Sequence, residues 1–166
     1  MKKIMRTMMF VVMLITMNSC SADNVSKNDP APGNETPNTN YTYNNSELEL
    51  MQLINDYRVS IGLNALQKAN LISNECEDHN EYMIAHNVMN HDGFDSRSAN
   101  IMKHLGAKNI GENVAYNYKT PQDALKAWLE SPGHKKNIEG NFTHFGIAVS
   151  ADSSGKKYYT NIFARI

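Results

Sequence analysis

A chain of 166 residues has room for one modest domain and little more. Charged residues make up 20% and the formal net charge is -1, which excludes a basic nucleic-acid binder and a long acidic tail. Two cysteines cannot build a disulfide framework, and there is no CxxC, P-loop or dinucleotide fingerprint.

The N-terminus reads as an export leader over residues 1–19. Lys2, Lys3 and Arg6 form a positive end, and the apolar stretch from Met8 to Met17 is about half the ~20 residues a bilayer span needs. Six of the ten methionines fall in this leader, so they point to no Met-rich site. Without it the balance is 13 basic against 17 acidic residues, or -4, since 16 basic residues less Lys2, Lys3 and Arg6 leave 13. The leader ends in Asn18-Ser19-Cys20, which resembles a bacterial lipoprotein cleavage site. That resemblance implies a lipidated Cys20 and a chain anchored to the outer or plasma membrane, with plain secretion as the alternative. Cys76 then has no partner and is expected to be a buried, inert thiol. Residues 21–45 are Ser, Asn, Asp, Pro, Thr and Gly with almost nothing apolar, the composition of a flexible tether. The folded domain is expected over residues 46–166.

Ser46 to Glu49 has the form of a capping box, and Leu50, Leu53, Ile54, Tyr57 and Ile61 follow at helical spacing up to a stop at Gly62. A second helix is expected from Ala69 to Asn87, then a loop carrying His91, then a short helix from Ser98 to Leu105 that stops at Gly106. Residues 109–116 read as a strand. Thr120 caps a helix with Pro121 at its first position, and Ser131-Pro-Gly133 breaks it before a turn that carries His134. Two strands, 143–151 and 157–165, close the chain around the hairpin residues Asp152 to Gly155. Helices first and a hairpin last predict an α+β fold, an antiparallel sheet covered by helices.

Six histidines invite a metal reading, yet none shows clean ligand spacing. Glu75, His79 and His86 share one helix face, which also fits an exposed polar stripe. His104 beside Lys103 suits a helix C-terminus. His144 opens a strand. Three residues have odder contexts: His91 in a loop, His134 after a helix break, and Glu112 inside an apolar strand. Alternation puts Glu112 on one face with Ile110 and Val114, so it points either to solvent or into a polar cavity.

Taken together, several stretches make the domain similar to the superfamily of cysteine-rich secretory proteins, antigen 5 and pathogenesis-related 1 proteins (CAP or SCP-like), in its disulfide-free bacterial branch. They are Ile54 to Arg58 with Gly62, Leu63 and Leu66; His91 to Arg97; Gly111 to Ala115; Trp128 to His134 with Asn137 and Ile138; Gly146 to Val149; and Tyr159 to Phe163. The resemblance implies an α-β-α sandwich with a central antiparallel sheet. It also implies a cleft lined by His91, Glu112 and His134, with Asn113 beside Glu112. A further acid in the family pattern falls three residues after the tryptophan. Here Ser131 occupies that place and Glu130 precedes it, so both are candidates.

The resemblance further implies that His91 and His134 can bind a divalent metal such as zinc, with no obligatory cofactor. Two functions follow as expectations. One is a non-catalytic binding module for a lipid, sterol or other cell-envelope ligand. The alternative is a metal-dependent hydrolase using His91, Glu112 and His134.

Overall fold

The computed structural model describes residues 39–166. The leader, Cys20 and residues 21–38 of the expected tether lie outside the described residues. Ordered structure already includes Tyr41 to Asn44: Tyr41 donates to Glu47 at 2.8 Å, and Tyr43 donates to Asn70 Oδ1 at 3.0 Å.

Helix α1 spans Asn45–Ser60. Its cap is Asn44 and not Ser46. The Asn44 side chain accepts from Glu47 N, and Glu47 Oε2 accepts from Asn44 N, so the reciprocal pair is offset by two residues from the expected one. The end is as expected: Gly62, at φ +81°, follows Ile61, and Leu63 N returns to Arg58 O at 2.9 Å. Strand β1 is a two-residue piece, Gln67–Lys68, followed by helix α2 at Asn70–His86. Helix α3 is Phe94–Leu105, starting one turn before the expected Ser98 because Gly93 (φ +73°) turns the chain directly into it. Strand β2 is Asn109–Tyr116 and helix α4 is Pro121–Glu130. Where a turn was expected around His134, a second helix forms, α5 at Pro132–Ile138, with its proline in the first turn. Strands β3 (His144–Ala151) and β4 (Lys157–Arg165) form the expected hairpin.

The four strands lie in the order β1-β3-β4-β2. The β2–β4 and β3–β4 pairs are antiparallel, and the short β1 adds to β3 in parallel. Strand alternation then sorts the core into two layers. Phe145, Ile147, Tyr159 and Phe163 meet α1, α4 and α5 through Leu50, Ile54, Leu125, Trp128 and Ile138. Ala148, Ile162 and Ala164 meet α2 and α3 through Ile72, Cys76 and Ile101. This is the α-β-α sandwich. Cys76 is fully buried, and its thiol, pushed up in pKa by that burial, contacts Gly146 O at 3.4 Å.

Helix α2 rides very close to β3 at Gly146. A Cβ there would sit 2.7 Å from Ile72 Cβ and closer still to the Ile72–Ser73 peptide. Gly146→Ala is therefore expected to cost about 1–3 kcal/mol in a denaturant titration. Gly133→Ala, with open space around the added methyl, should stay within about 0.5 kcal/mol of the parent. Equal midpoints for both variants would disprove the tight α2–β3 contact.

Candidate functional site

Strand β2 is an edge strand, and the candidate site gathers along it. Ile110, Glu112 and Val114 turn toward the α2/α3 layer, while Gly111, Asn113 and Ala115 turn toward α4 and α5. Glu112 is thus an acid on a core-facing strand position, and it is buried. The cost is met by Arg97 of α3: its Nε donates to Oε2 at 2.9 Å, and its Nη2 reaches Oε2 at 2.7 Å and Oε1 at 2.9 Å. Arg97 Nη1 also donates to Asp92 O at 2.7 Å, tying the loop before α3 to the same centre.

His91 lies in that loop. Its Nδ1 is 2.8 Å from Glu112 Oε1. A carboxylate accepts, so Nδ1 donates, and Nε2 is the ring nitrogen left without a bond to Glu112. The ring is half exposed, with 51% of its side-chain surface accessible against 2% for Glu112. A fixed base of support and an exposed second nitrogen make His91 a presented imidazole. Glu112 is fully occupied by Arg97 and His91, so it orients and neutralises; it has no oxygen to spare as a proton acceptor or metal ligand.

His134 comes from the other layer, on α5. Asn113, completely buried, donates to His134 O at 3.1 Å and accepts from Asn137 at 2.9 Å, and Asn137 also donates to Glu112 O at 3.0 Å. These bonds fix α5 against the edge of β2. Burial lowers the pKa of His134, and the nearby His91 lowers it further, so its ring is neutral at neutral pH. No hydrogen bond or ion pair joins His134 to Glu112 or His91 among the described residues. Of the two imidazoles, only His91 touches the carboxylate.

Beside His134 the surface sinks into a hollow of about 250 Å³, walled by Met89, Val114, Tyr116, Tyr118 and Trp128, with Ser131 at its polar side. Glu130 is elsewhere. It is exposed, 4.0 Å from Lys126, on a shallow groove with Lys119 and Asp123. Of the two candidates after Trp128, Ser131 lines the hollow and Glu130 does not. A wider, open polar groove of about 870 Å³ runs past Lys135, Lys136 and Asn141 on the far side of α5.

The remaining histidines take individual places. His79 is buried, which corrects the exposed-stripe expectation for it. Its Nε2 donates to Asn90 O at 2.9 Å, leaving Nδ1 buried without a partner. Burial is the main reason its pKa is lowered. His86 stays exposed, with Nδ1 at 2.8 Å from Tyr82 O, and Glu75 bonds Asn100. His104 bonds Asn100 O and His144 bonds Thr143. Arg97 is the site residue that sequence reasoning passed over, and His79, weighed there as a metal candidate or an exposed polar residue, instead holds the loop of His91 through Asn90 O. Arg97 sat within the His91–Arg97 stretch without a role, and the only available signal was the need of a buried acid for a cation. Among the described residues, no group of three or more His, Cys, Asp or Glu side chains is arranged to hold a metal ion. No helix among them is long and apolar enough to cross a membrane.

The family model described as the cysteine-rich secretory protein family matches residues 51–163. The uncharacterized protein YkwD of Bacillus subtilis is 33% identical over 147 residues, covering 84% of this chain and 57% of that protein. The uncharacterized membrane protein YlbC of the same organism is 32% identical over 127 residues, covering 72% of this chain and 34% of that protein. This chain thus spans roughly a third to somewhat over half the length of these relatives. Among solved structures, an extracellular protein containing an SCP domain from Bacillus anthracis superposes with a TM-score of 0.64 at 27% identity, over 73% of this chain and 40% of that one.

Proposed function

From the premise that this chain belongs to the cysteine-rich secretory protein family, we propose that it is a non-catalytic binding module held outside the cytoplasm. Anchoring would run through a lipidated Cys20, in keeping with the leader and the Ser19-Cys20 junction. The ligand would belong to the cell envelope. The observation that carries this reading is the His91–Glu112–Arg97 centre. A buried ion pair holds one half-exposed imidazole by its Nδ1, and α5, pinned to the same strand through Asn113 and Asn137, carries a second.

The donor set fits a divalent ion such as zinc as a weak, open site: two imidazole nitrogens, with the nearby carboxylate already paired. His91 and His134 would hold the ion, and Glu112 would fix the tautomer of His91. The metal-dependent hydrolase is the weaker reading. Both oxygens of Glu112 are taken up by Arg97 and His91, which leaves it poorly placed to serve as the general base.

Zinc titrated into the protein at about pH 7.5 should bind saturably, and His91→Ala or His134→Ala should each abolish binding with little loss of fold. Because the His134 pKa is lowered, protonation of that ring sets in only below the ordinary histidine value of about 6.5. In a His91→Ala background the His134 NMR titration should therefore fall below that value. Unchanged zinc affinity in both alanine variants would remove the metal from the proposal.

A further inference from the structure

We infer that the hollow beside His134 is a subsite for a single aromatic ring bearing one hydrogen-bonding substituent, of phenol size and class. The inference rests on reading the cleft as a ligand-binding site, and it names what that site takes.

Three observations carry it. The first is size. The hollow holds about 250 Å³, above the ~150 Å³ that accepts benzene and below the roughly 300–1,000 Å³ of sites for larger ligands. One substituted ring fits, and the fused rings of a sterol do not. The second is the wall. Tyr118, Tyr116 and Met89 offer aromatic and thioether surfaces suited to a flat ring, with the buried Trp128 behind them. Met89 and Tyr116 remain 47% and 44% exposed, so this apolar surface faces water until something covers it. The third is the unspent polarity. Besides the hydroxyls of its two tyrosines, the hollow's polar side chains are Ser131 and His134. Only the backbone of His134 is bonded, to Asn113, and Ser131 caps α5 without using its hydroxyl. Among the described residues neither the Ser131 hydroxyl nor the His134 ring has a hydrogen-bond partner. An imidazole and a hydroxyl together can bond one phenolic oxygen as donor and acceptor.

The test uses the full chain and p-cresol as probe, with toluene as the ring lacking the polar group. Trp128 is the only tryptophan in the chain, so its indole N–H gives one NMR signal from the wall of the hollow. Expected are a saturable shift with p-cresol and about five- to tenfold weaker binding of toluene. Ser131→Ala should weaken p-cresol by a similar factor and leave toluene unchanged. Ala127→Leu, which fills the hollow from α4, should abolish binding of both probes while zinc binding persists. Ala127→Val serves the same purpose should the leucine variant misfold. No saturable shift with p-cresol, wild-type binding in the filled variants, or displacement of p-cresol by equimolar cholesterol would each overturn the inference. Zinc binding lost while p-cresol still binds would remove the metal reading and leave this subsite standing.

Discussion

Arg97→Met should cost about 3–5 kcal/mol of stability, the largest loss expected from any side chain at the candidate site. The substitution keeps most of the apolar stem and removes the charge. What remains is the Glu112 carboxylate, with 2% of its side-chain surface exposed. His91, half exposed on one oxygen, is then its only other polar partner. A buried charge stripped of its partner is far worse than no charge at all. The double variant Arg97→Met/Glu112→Leu should therefore regain most of the lost stability, because it removes both ions. It should not regain zinc binding, since His91 loses the acceptor that fixes its ring. Stability and site geometry thus separate in one experiment, read by denaturant midpoints and calorimetric titration. A single variant as destabilised as the double, with no recovery, would mean that Arg97 acts through packing or Asp92 and not through the ion pair.

That centre illustrates what can be read from the chain and what cannot. The elements were legible because each carried its own local signal: Leu50, Ile54 and Tyr57 at helical spacing, Pro121 after a capping threonine, Asp152 to Gly155 between two apolar strands. Where the signal was ambiguous the boundaries moved. Two candidate caps, Asn44 and Ser46, lie two residues apart, and the one that also lets Tyr43 reach Asn70 and Ser73 prevails. The α5 helix was hidden because Ser131-Pro-Gly133 reads equally as an end and as a beginning; proline favours the first turn of a new helix as readily as it stops an old one. The strand β1 has only two residues and no period to detect.

The site was legible only in part, for a different reason. Alternation put Glu112 on one face with Ile110 and Val114 but left open whether it met solvent or a polar cavity; only once it is buried must a partner exist. Its identity depends on how α3 crosses β2, a tertiary fact with no local spacing. His79 shows the same limit. It shares a helix face with Glu75 and His86, but α2 buries that face unevenly, so one histidine anchors the loop of His91 while another meets water.

A comparable loss, about 3–5 kcal/mol, is expected of Arg58→Met, for a reason that permits no rescue. Arg58 is completely buried in the opposite layer and has no acidic partner among the described residues. Its donors go to carbonyls: Nη1 to Ile138 O at 2.6 Å and Gly140 O at 3.0 Å, Nε to Asn64 O at 2.9 Å. Burial pulls its pKa down, the mark of a cation held by dipoles alone. Removing it leaves Ile138 O and Asn64 O short of a donor, with Gly140 O kept only by Phe142 N, and a backbone carbonyl cannot be mutated away as Glu112 can. Arg58→Lys should recover only part, because one ammonium cannot serve both the Asn64 side and the Ile138 side of the fork. The effect reaches the site through α5. Ile138 and Gly140 flank the C-terminal end of the helix that carries His134, so loosening them frees that imidazole while His91 stays held by Glu112. Arg58→Lys is accordingly expected to weaken zinc binding severalfold and leave the NMR signals of His91 in place. Stability within about 1 kcal/mol of the parent in Arg58→Met would show that water or a rearranged loop satisfies those carbonyls, and that α5 is positioned by Asn113 and Asn137 without help from α1.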